Sequence, residues 1–453
     1  MPSGAHDPVT RSELRAAGRA LRKTVPRRSH SQWRQPADRP DPLEVLARTN
    51  EGRLPELVPV RQQRMMESPF SYYRGAPAMM AADLARTPAT GVTLQICGDA
   101  HLLNFGMFAT PERNLVFDLN DFDETQPGSW EWDLKRLAAS LVIAARTAGL
   151  TDADGRAAVL ACSAEYRSQM EAMSQLSAFD VWHARLDAAA LLAEAPDRRS
   201  RSAVERGVSN AMQRTSLQAL AKLTTVRGGR RVIVADPPLV IRLTDEQLEQ
   251  AHRSLGAYVA TLEADRRVLL DHYELVDAAL KVVGVGSVGT RCFIALLAGR
   301  ADLDPLFLQM KEARTSVLAP HVGRSRYSNQ GRRVVVGQRI MQAASDTFLG
   351  WARMEGFDFY VRQLRDMKLS VRLDSVRPGE LAAYGRLCGA TLARAHARAG
   401  RPALLAGYLG SSPAFDEALA AFAVPYAAQT ERDFEAFLSA ARGGRLPSPS
   451  VSD

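Results

Sequence analysis

The β-forming sequence of this chain falls into two separate blocks, with long helical sequence between and after them. The first block lies within residues 92–119, and the second, rich in β-branched and aliphatic residues, within 276–370. Helical sequence, in which apolar residues recur every three or four positions, fills most of 132–265 and 380–440. Strands and helices that do not alternate regularly along a chain indicate an α+β protein.

Length and composition place the chain among ordinary globular proteins. It has 453 residues, of which 46% are hydrophobic and 24% charged. This length predicts two or three domains, or one large unit of two lobes. No stretch approaches the ~18 uncharged apolar residues of a membrane-spanning helix, so we expect no membrane span. The four cysteines form no CxxC pair, which argues against a zinc site or a disulfide framework and predicts a cytoplasmic protein.

The formal net charge of +8 is unevenly placed along the chain. Residues 1–50 contain ten Lys or Arg and five Asp or Glu, so they carry +5 and leave +3 for the rest of the chain. Basic residues confined to a terminal arm do not form a nucleic-acid-binding face, and we expect no specific nucleic-acid binding. The composition predicts a mobile basic arm over 1–43 and a disordered tail over 441–453.

Asp99, His101 and Asn104 lie in the segment GDAHLLN, which follows a predicted strand over Val92–Cys97. An Asp and an Asn five positions apart at a strand-to-loop turn are typical of a kinase catalytic loop. In such a loop the Asp orients the attacking hydroxyl and the Asn oxygen binds Mg²⁺. Mg²⁺ is a hard cation that takes oxygen ligands, which suits these residue types. The alternative is an ordinary strand end with Asp99 in an Asx turn.

The second motif is the acidic run DLNDFDE at residues 118–124. Asp118 directly follows two apolar residues, so its carboxylate ends an apolar strand. This placement favours a metal-ligand role for Asp118, with Asp121 as an alternative ligand. An EF-hand is excluded, because Phe122 and Asp123 occupy positions that need an oxygen ligand and a glycine. The alternative is a solvated acidic turn.

The third motif is a glycine-rich segment containing Gly284, Gly286, Ser287 and Gly289, with Lys311 22 residues after the last glycine. A lone GxGxxG is a weak signal, and two arrangements compete for it. In a dinucleotide site a helix follows the loop directly, whereas in a kinase the loop joins two antiparallel strands and a Lys lies on the third. The sequence after Gly289 reads strand, turn, strand, ending at Lys311, which favours the kinase arrangement. An ordinary Gly-rich hairpin is the remaining alternative.

Asp133 lies at the start of the helix predicted over 132–148. In kinase-like folds an Asp at this place, on the helix after the metal-binding strand, hydrogen-bonds the backbone of the catalytic loop. We predict that role for Asp133. A first-turn acid that complements the helix dipole is compatible with it.

Six longer segments carry a family resemblance: RMMESPFSYYRG (64–75), CGDAHLLNFG (97–106), FDLNDFDE (117–124), WDLKRL (132–137), GQRIMQ (337–342) and LARAH (392–396). Together they resemble a bacterial family of unassigned function, domain of unknown function 2252, over about residues 44–438. The segment GDAHLLN also looks like the catalytic loop of aminoglycoside phosphotransferases and related small-molecule kinases. The resemblance implies a protein-kinase-like fold with two lobes.

The order of the motifs differs from that of kinases, because Asp99 precedes the glycine loop by 185 residues. We therefore expect a circularly permuted kinase-like fold, which is tolerated because the termini of compact domains often lie close together. The predicted parts are a catalytic-loop segment with a helical lobe (44–275), a small β-rich nucleotide-binding lobe (276–370) and C-terminal helices that return to the helical lobe (371–440).

The kinase Lys usually pairs with a Glu on the following helix. The helix predicted over 332–345 contains no Glu. Either Gln338 or Gln342 takes that role more weakly, or Lys311 pairs directly with Asp118.

These features favour a Mg²⁺-dependent, ATP-using phosphotransferase that acts on an unidentified, small-molecule acceptor. In this hypothesis the glycine loop and Lys311 bind the nucleotide phosphates, and Arg74 helps to position phosphate. Asn104 and Asp118 hold Mg²⁺. Asp99, in the same catalytic loop as His101, orients the acceptor.

Two other hypotheses remain open. One keeps the kinase-like nucleotide site but transfers an adenylyl group, or only senses nucleotide. The other is a dinucleotide-dependent oxidoreductase that uses the GxGxxG loop. A helix directly after Gly289 would support the oxidoreductase, and a strand would exclude it.

Overall fold

The computed structural model describes residues 9–187, 192–193, 197–213, 216–282, 284–299, 304–364 and 376–446. The helices of these residues are α1 (Arg11–Thr24), α2 (Pro42–Asn50), α3 (Val58–Met65), α4 (Pro69–Gly75), α5 (Pro77–Leu84), α6 (Trp130–Thr147), α7 (Asp152–Gln175), α8 (Ala178–His183), α9 (Arg198–Gln213), α10 (Ser216–Leu223), α11 (Asp245–Val259), α12 (Ala264–Leu270), α13 (Ala319–Val322), α14 (Gln330–Met341), α15 (Pro378–Ala399), α16 (Pro402–Leu409) and α17 (Ala414–Arg442). The strands are β1 (Thr93–Ile96), β2 (Phe105–Ala109), β3 (Leu115–Leu119), β4 (Gln126–Ser129), β5 (Thr224–Arg227), β6 (Arg230–Ile233), β7 (Val240–Arg242), β8 (Tyr273–Lys281), β9 (Cys292–Gly299), β10 (Pro305–Glu312), β11 (Gly350–Met354) and β12 (Phe357–Gln363). The predicted α+β class is confirmed.

Helix α6 is the centre of the helical part of the molecule. Every residue from Trp130 to Ala145 is buried. A helix that is buried on all sides must be enclosed by other elements, and α7, α15 and α17 pack around it. Most of the enclosed side chains are apolar and form one continuous core with the first strand block. The buried polar side chains in its first turns hold the loops of the candidate site.

Six antiparallel strands form the main sheet, in the order β11-β12-β10-β9-β8-β7. Helix α14 lies between β10 and β11 in the chain and packs against β11 and β12. Successive side chains of a strand point to opposite faces. On β10, Leu308 and Met310 belong to the apolar cluster that contains Tyr258 of α11, whereas Gln309 and Lys311 face the helical part.

Two small antiparallel ribbons bring the first two sequence motifs together. β1 pairs with β4, and β2 pairs with β3. β1 leads into the loop 97–104, and β3 leads into the acidic turn 120–125. The backbone N–H of Asn120 donates to the carbonyl of Asn104 over 2.9 Å, and the Thr125 hydroxyl donates to the carbonyl of Ile96 over 2.6 Å. The two loops therefore lie side by side.

The N-terminal segment differs from the predicted mobile arm, because the described residues from Thr10 onward pack on the helical part. Gly18 and Gly407 let α1 and α16 approach closely, since a Cβ at Gly18 would lie 2.0 Å from the carbonyl oxygen of Leu404. The Arg39 guanidinium donates to the carboxylates of both Asp83 and Asp433, at 2.6 to 2.9 Å. Arginine in this segment therefore serves docking between elements.

Three further expectations concern the C-terminal end and membranes. The helical sequence predicted over 380–440 ends in one long helix, α17, which continues through Pro425. The predicted disordered tail falls mostly on residues 447–453, which lie outside the described residues. Among the helices of the described residues, none has the length and apolar character needed to cross a membrane.

Candidate functional site

A cavity of about 140 Å³ lies between the glycine loop, the main sheet and the helical part. The predicted site residues that line it are Arg74, Asp99, His101, Asp121, Gly284, Gly286, Ser287 and Lys311. Asn104, Asp118 and Gly289 are predicted site residues that do not line it. The structure thus gathers residues from five separate sequence segments around one space.

The glycine loop is a short turn between two antiparallel strands, β8 and β9. Arg53 supports the turn, since its guanidinium donates to the carbonyls of Val288 (2.5 Å) and Gly286 (3.0 Å). Gly289 has φ +87°, which a residue with a Cβ rarely adopts, and its carbonyl accepts from Leu54 N–H over 2.7 Å. Gly289 therefore shapes the loop and does not face the cavity.

Strand β9 begins at Cys292, directly after the loop, and pairs antiparallel with β8. A dinucleotide-binding loop needs a helix at this point, because the helix N-terminus binds the pyrophosphate. Because a strand and not a helix follows Gly289, the oxidoreductase hypothesis is excluded.

Lys311 is buried, and its ammonium group forms ion pairs with Asp123 and with Asp121, the second at 3.4 Å. Burial acts to lower the pKa of Lys311, but these two carboxylates outweigh it and raise the pKa well above its ordinary value. Asp123 also accepts from the hydroxyls of Tyr360 (2.8 Å) and Ser287 (3.1 Å). Lys311 is thus a permanent cation held on the acidic turn, next to the glycine loop.

The predicted partners of Lys311 are wrong. Gln338 on α14 donates to Gln342 over 2.9 Å, and Gln342 donates to the carbonyl of Leu119 over 2.6 Å. Helix α14 reaches the acidic turn through Arg333 instead, which donates to the carbonyls of Thr125 (2.6 Å) and Asp123 (2.7 Å). The helix therefore positions the turn that pairs with Lys311.

Asp99 lies across the cavity from the sheet, with its side chain 22% exposed. Arg136 of α6 pairs with its Oδ1 atom over 2.7 Å, and the Nε2 atom of His101 lies 3.9 Å from its Oδ2 atom. Burial raises the pKa of Asp99 to about 7, although Arg136 acts to lower it. Burial also keeps the pKa of His101 well below its ordinary value, so His101 is neutral. A carboxyl group that titrates near neutral pH is suited to accept a proton.

Asn104 does not have the predicted metal-ligand role. Its amide nitrogen donates to the carbonyls of Asp99 (3.0 Å) and Asp121 (2.9 Å). Its amide oxygen accepts from the backbone N–H groups of Asp121 (2.6 Å) and Asn120 (3.3 Å). Since a carbonyl oxygen has two lone pairs, none is left for Mg²⁺. Asn104 therefore joins the loop 97–104 to the acidic turn by hydrogen bonds.

Asp118 is also wrong as a predicted metal ligand. It is fully buried and forms an ion pair with Arg394 of α15. Its carboxylate also accepts from the backbone N–H groups of Leu119 (2.9 Å) and Ala343 (2.7 Å). Asp118 therefore fastens β3 to α15, and the carboxylates of this run that line the cavity are those of Asp121, Asp123 and Glu124.

Asp133 has the predicted contacts with the loop backbone. Its carboxylate accepts from the N–H groups of Cys97 (2.7 Å) and Gly98 (2.8 Å), just before Asp99. The Nε2 atom of His396 on α15 lies 3.2 Å from the same carboxylate. Asp133 is 1% exposed. A buried carboxylate with this many partners holds the loop in one conformation.

We expect Asp133→Ala to lower the free energy of unfolding by about 3 kcal/mol or more, because each hydrogen bond to a charged group contributes ~1.5–3 kcal/mol. The exposed Asp271→Ala is the matched control and should change it by less than about 0.5 kcal/mol. Urea unfolding of both variants measures the difference. Similar values for the two variants would mean that Asp133 does not support the loop.

Five charged residues of the cavity wall have no role predicted from the sequence: Arg53, Arg61, Asp123, Glu124 and Arg362. Asp123 and Glu124 are visible as part of the acidic run. The arginines carry no usable signal, because the chain has 52 arginines and only six lysines. Arg362 donates to the carbonyl of Asn120 over 2.9 Å and to the amide oxygen of Gln309 over 3.0 Å. It joins the sheet to the acidic turn.

A metal ion at this site would depend on Asp121. Among the described residues, no three His, Cys, Asp or Glu side chains are grouped so that they alone would hold a metal ion. Mg²⁺ does not need such a group, because it is usually bound by one or two carboxylates together with water and substrate phosphates. The Asp121 side chain is 44% exposed. Partial desolvation acts to raise its pKa, but Lys311 and Arg362 outweigh it and lower the pKa. It is therefore an ionised, accessible carboxylate.

The family model described as "Uncharacterized protein conserved in bacteria (DUF2252)" matches residues 53–440. No curated protein and no solved structure matches the chain with significant similarity. The matched range contains every residue of the cavity wall except Thr49. The chain therefore belongs to this bacterial family of uncharacterized proteins.

Proposed function

We propose that the protein is a Mg²⁺-dependent, ATP-using phosphotransferase that acts on a small-molecule acceptor. One observation carries the proposal: the glycine loop, Lys311, Asp121 and Asp99 line a single cavity. Phosphoryl transfer depends almost entirely on positioning and on electrostatic stabilisation, so these groups must share one site. Their arrangement matches the parts that such a reaction needs.

The glycine loop and Lys311 form the phosphate-binding side. Gly284 and Gly286 have no side chain between the loop backbone and the cavity, so backbone N–H groups can approach phosphate oxygens. Lys311 supplies a positive charge on the neighbouring strand. The loop N–H groups and Lys311 fit the triphosphate of a nucleotide. Arg74 lies close to the loop, since a Cβ at Gly284 would be 3.7 Å from its guanidinium, and it also lies near Asp99.

Asp121 fits Mg²⁺, since it is a hard, ionised oxygen ligand facing the phosphate-binding side. When bound, the ion would neutralise charge that develops on the phosphate oxygens. Asp123 is less available, because Lys311, Tyr360 and Ser287 already use its carboxylate. Asp123 instead keeps Lys311 and the glycine loop in place.

Asp99 fits the role of the group that orients the acceptor. The acceptor hydroxyl oxygen attacks the γ-phosphorus, the bond to the β–γ bridging oxygen breaks, and Asp99 takes the hydroxyl proton. The products are ADP and the phosphorylated acceptor. Arg136 holds the Asp99 carboxylate from behind, and Asp133 holds the loop backbone before it.

Two features of the fold support a permuted kinase-like arrangement. The main sheet has a glycine loop between two strands, a Lys on the third and then helix α14, which is the order of a kinase small lobe. The C-terminal end of α15 lies beside β1, since a Cβ at Gly400 would be 3.0 Å from the Leu94 side chain. Joining that helix to β1 would restore the usual order, in which a helix leads into the catalytic loop.

The size of the cavity implies that the site opens to admit a nucleotide. Its volume is about 140 Å³, whereas pockets for small ligands usually measure ~300–1,000 Å³. The ion pairs of Lys311 with Asp121 and Asp123 join the sheet to the acidic turn across it. We infer that nucleotide binding separates these parts and exchanges carboxylate contacts of Lys311 for phosphate contacts.

The hydrogen bonds of the Asn104 amide favour a second candidate function. In it the protein binds nucleotide but adenylylates a partner or only senses nucleotide. Kinases use an Asn at this position for a second metal ion, and here both lone pairs of its oxygen are used by backbone N–H groups. Formation of ADP supports the phosphotransferase, whereas release of pyrophosphate supports adenylylation.

A thermal-unfolding panel of nucleotides, with and without Mg²⁺, tests the proposal. A ligand at 100 times its dissociation constant adds about 2.7 kcal/mol of stability. We expect this from Mg²⁺-ATP in the wild type, and we expect Lys311→Met to lose most of it because a phosphate contact is missing. The exposed Lys222→Met is the matched control and should keep it. Stabilisation by NAD but not by ATP would refute the proposal.

A further inference from the structure

Three arginines, all from the N-terminal quarter of the chain, lie in the wall of the cavity. Arg53, Arg61 and Arg74 all line the cavity that contains Asp99. Within the described residues, none of them forms an ion pair with a carboxylate. A buried cation is expensive unless an anion or several hydrogen bonds compensate for its lost hydration. The three side chains therefore require an explanation.

Arg61 is the most deeply buried of the three, with 2% exposure. Its two terminal nitrogens donate to Asn50 and to the carbonyl of Gly75, both over 2.6 Å. Its Nε atom is buried and has no hydrogen-bond partner. Burial and the nearby charge of Arg53 lower the pKa of Arg61. An anion in the cavity would offset the cost of burying this charge.

Arg74 also has a guanidinium nitrogen without a hydrogen-bond partner, and it lies near Asp99 and Asp121. Its Nε atom is buried without a partner. Burial lowers the pKa of Arg74, while the charges of Asp99 and Asp121 act to raise it, so the guanidinium lies near both carboxylates. A ligand group bound to Arg74 would therefore lie beside Asp99.

The other charges at the cavity are balanced without these arginines. Lys311 and Arg362 lie beside Asp121 and Asp123. Asp99 pairs with Arg136, and Glu124 lies near Arg333. A nucleotide would meet Lys311, the glycine loop and Mg²⁺ held by Asp121. Arg53 already donates to the glycine-loop backbone. The charges of Arg61 and Arg74 are left for a second anion.

We propose that Arg61 and Arg74 form an oxyanion site that binds a phosphate or carboxylate group of the acceptor substrate. The proposal rests on the phosphotransferase function and specifies its substrate class: the acceptor is an anionic small molecule. Its acidic group binds to the arginines, which places its hydroxyl beside Asp99. Guanidinium groups suit this role, because their planar donors match the geometry of carboxylate and phosphate.

Inorganic phosphate is the probe. Calorimetric titration is carried out on the full chain alone and on the full chain saturated with Mg²⁺ and a non-hydrolysable ATP analogue. We expect phosphate to bind in both states, because the acceptor site remains open when the nucleotide is bound. In Arg74→Met its dissociation constant should rise ~10-fold or more, as expected for loss of a charged hydrogen bond. Arg74→Lys keeps the charge and should fall between the two.

The exposed Arg156→Met is the matched control and should bind phosphate like the wild type. Phosphate binding to the nucleotide-free protein alone would overturn the proposal, because the arginines would then belong to the nucleotide phosphates. Equal binding by Arg74→Met and wild type would also overturn it. If phosphate binds but the nucleotide analogue does not, the phosphotransferase function fails and the anion site stands as a site without that role.

Discussion

Asp99→Asn is expected to reduce phosphoryl transfer by about 10²–10⁴-fold, the usual contribution of general acid–base catalysis. The affinity for the Mg²⁺-nucleotide should stay within about twofold, because Asp99 faces the acceptor and pairs with Arg136, not with Lys311. The two quantities are measured as ADP formation with a cell extract as the source of acceptor and as calorimetric titration of a non-hydrolysable analogue. Unchanged turnover would mean that Asp99 is only a turn residue.

The pH dependence of the same variant provides an independent readout. Burial raises the pKa of Asp99 to about 7, and the group must be ionised to accept a proton. Wild-type kcat/KM should therefore rise about tenfold per pH unit below pH 7 and level off above it, and Asp99→Asn should lack this limb. The stability contributed by protonated Asp99 is fully present below about pH 4 and is lost as the pH rises through about 7.

Asp118→Asn is expected to lower the free energy of unfolding by about 3–5 kcal/mol, because Arg394 is left as an uncompensated buried charge. Arg394 is 2% exposed, and its Nε and Nη1 atoms already lack partners. Nucleotide affinity of the folded variant should not change, since Asp118 lies outside the cavity. Denaturant unfolding and calorimetric titration, at a temperature where the variant is folded, measure both effects.

Asp121→Asn is the matched variant from the same acidic run, three residues further on. Its side chain is 44% exposed, so we expect a small change in stability, and nucleotide binding should lose its dependence on Mg²⁺. The opposite pattern, in which Asp118→Asn abolishes Mg²⁺-dependent binding and Asp121→Asn does not, would restore the original prediction for Asp118.

The exchange of roles between Asp118 and Asp121 shows where sequence reasoning ends. Both residues belong to one acidic run, and the sequence pattern favours Asp118 as the metal ligand. Asp118 is held away from the cavity by its ion pair with Arg394, which lies 276 positions away in the sequence. A contact of that sequence separation has no local signature. The same holds for Asn104, whose partners are backbone groups of the acidic turn.

Local chemistry, by contrast, was sufficient for the glycine loop and for Asp133. The strand, turn, strand pattern around Lys311 reflects β-branched and aliphatic sequence interrupted by glycine, and the sheet has that arrangement. The contacts of Asp133 are predictable, because a carboxylate in the first turn of this helix can accept hydrogen bonds from the neighbouring loop backbone. Composition alone is misleading for the N-terminal segment. Its basic charge predicts mobility, whereas Gly18 and Gly407 allow α1 to pack closely on α16.

The central claim is tested most directly by a crystal structure of the protein with Mg²⁺ and a non-hydrolysable ATP analogue. We expect the triphosphate between the glycine loop and Lys311, Mg²⁺ on Asp121, and the terminal phosphate facing Asp99. We also expect Asp118 to stay paired with Arg394 and to bind no metal. A nucleotide bound elsewhere, or phosphates that contact neither Lys311 nor the loop from Gly284 to Ser287, would contradict it.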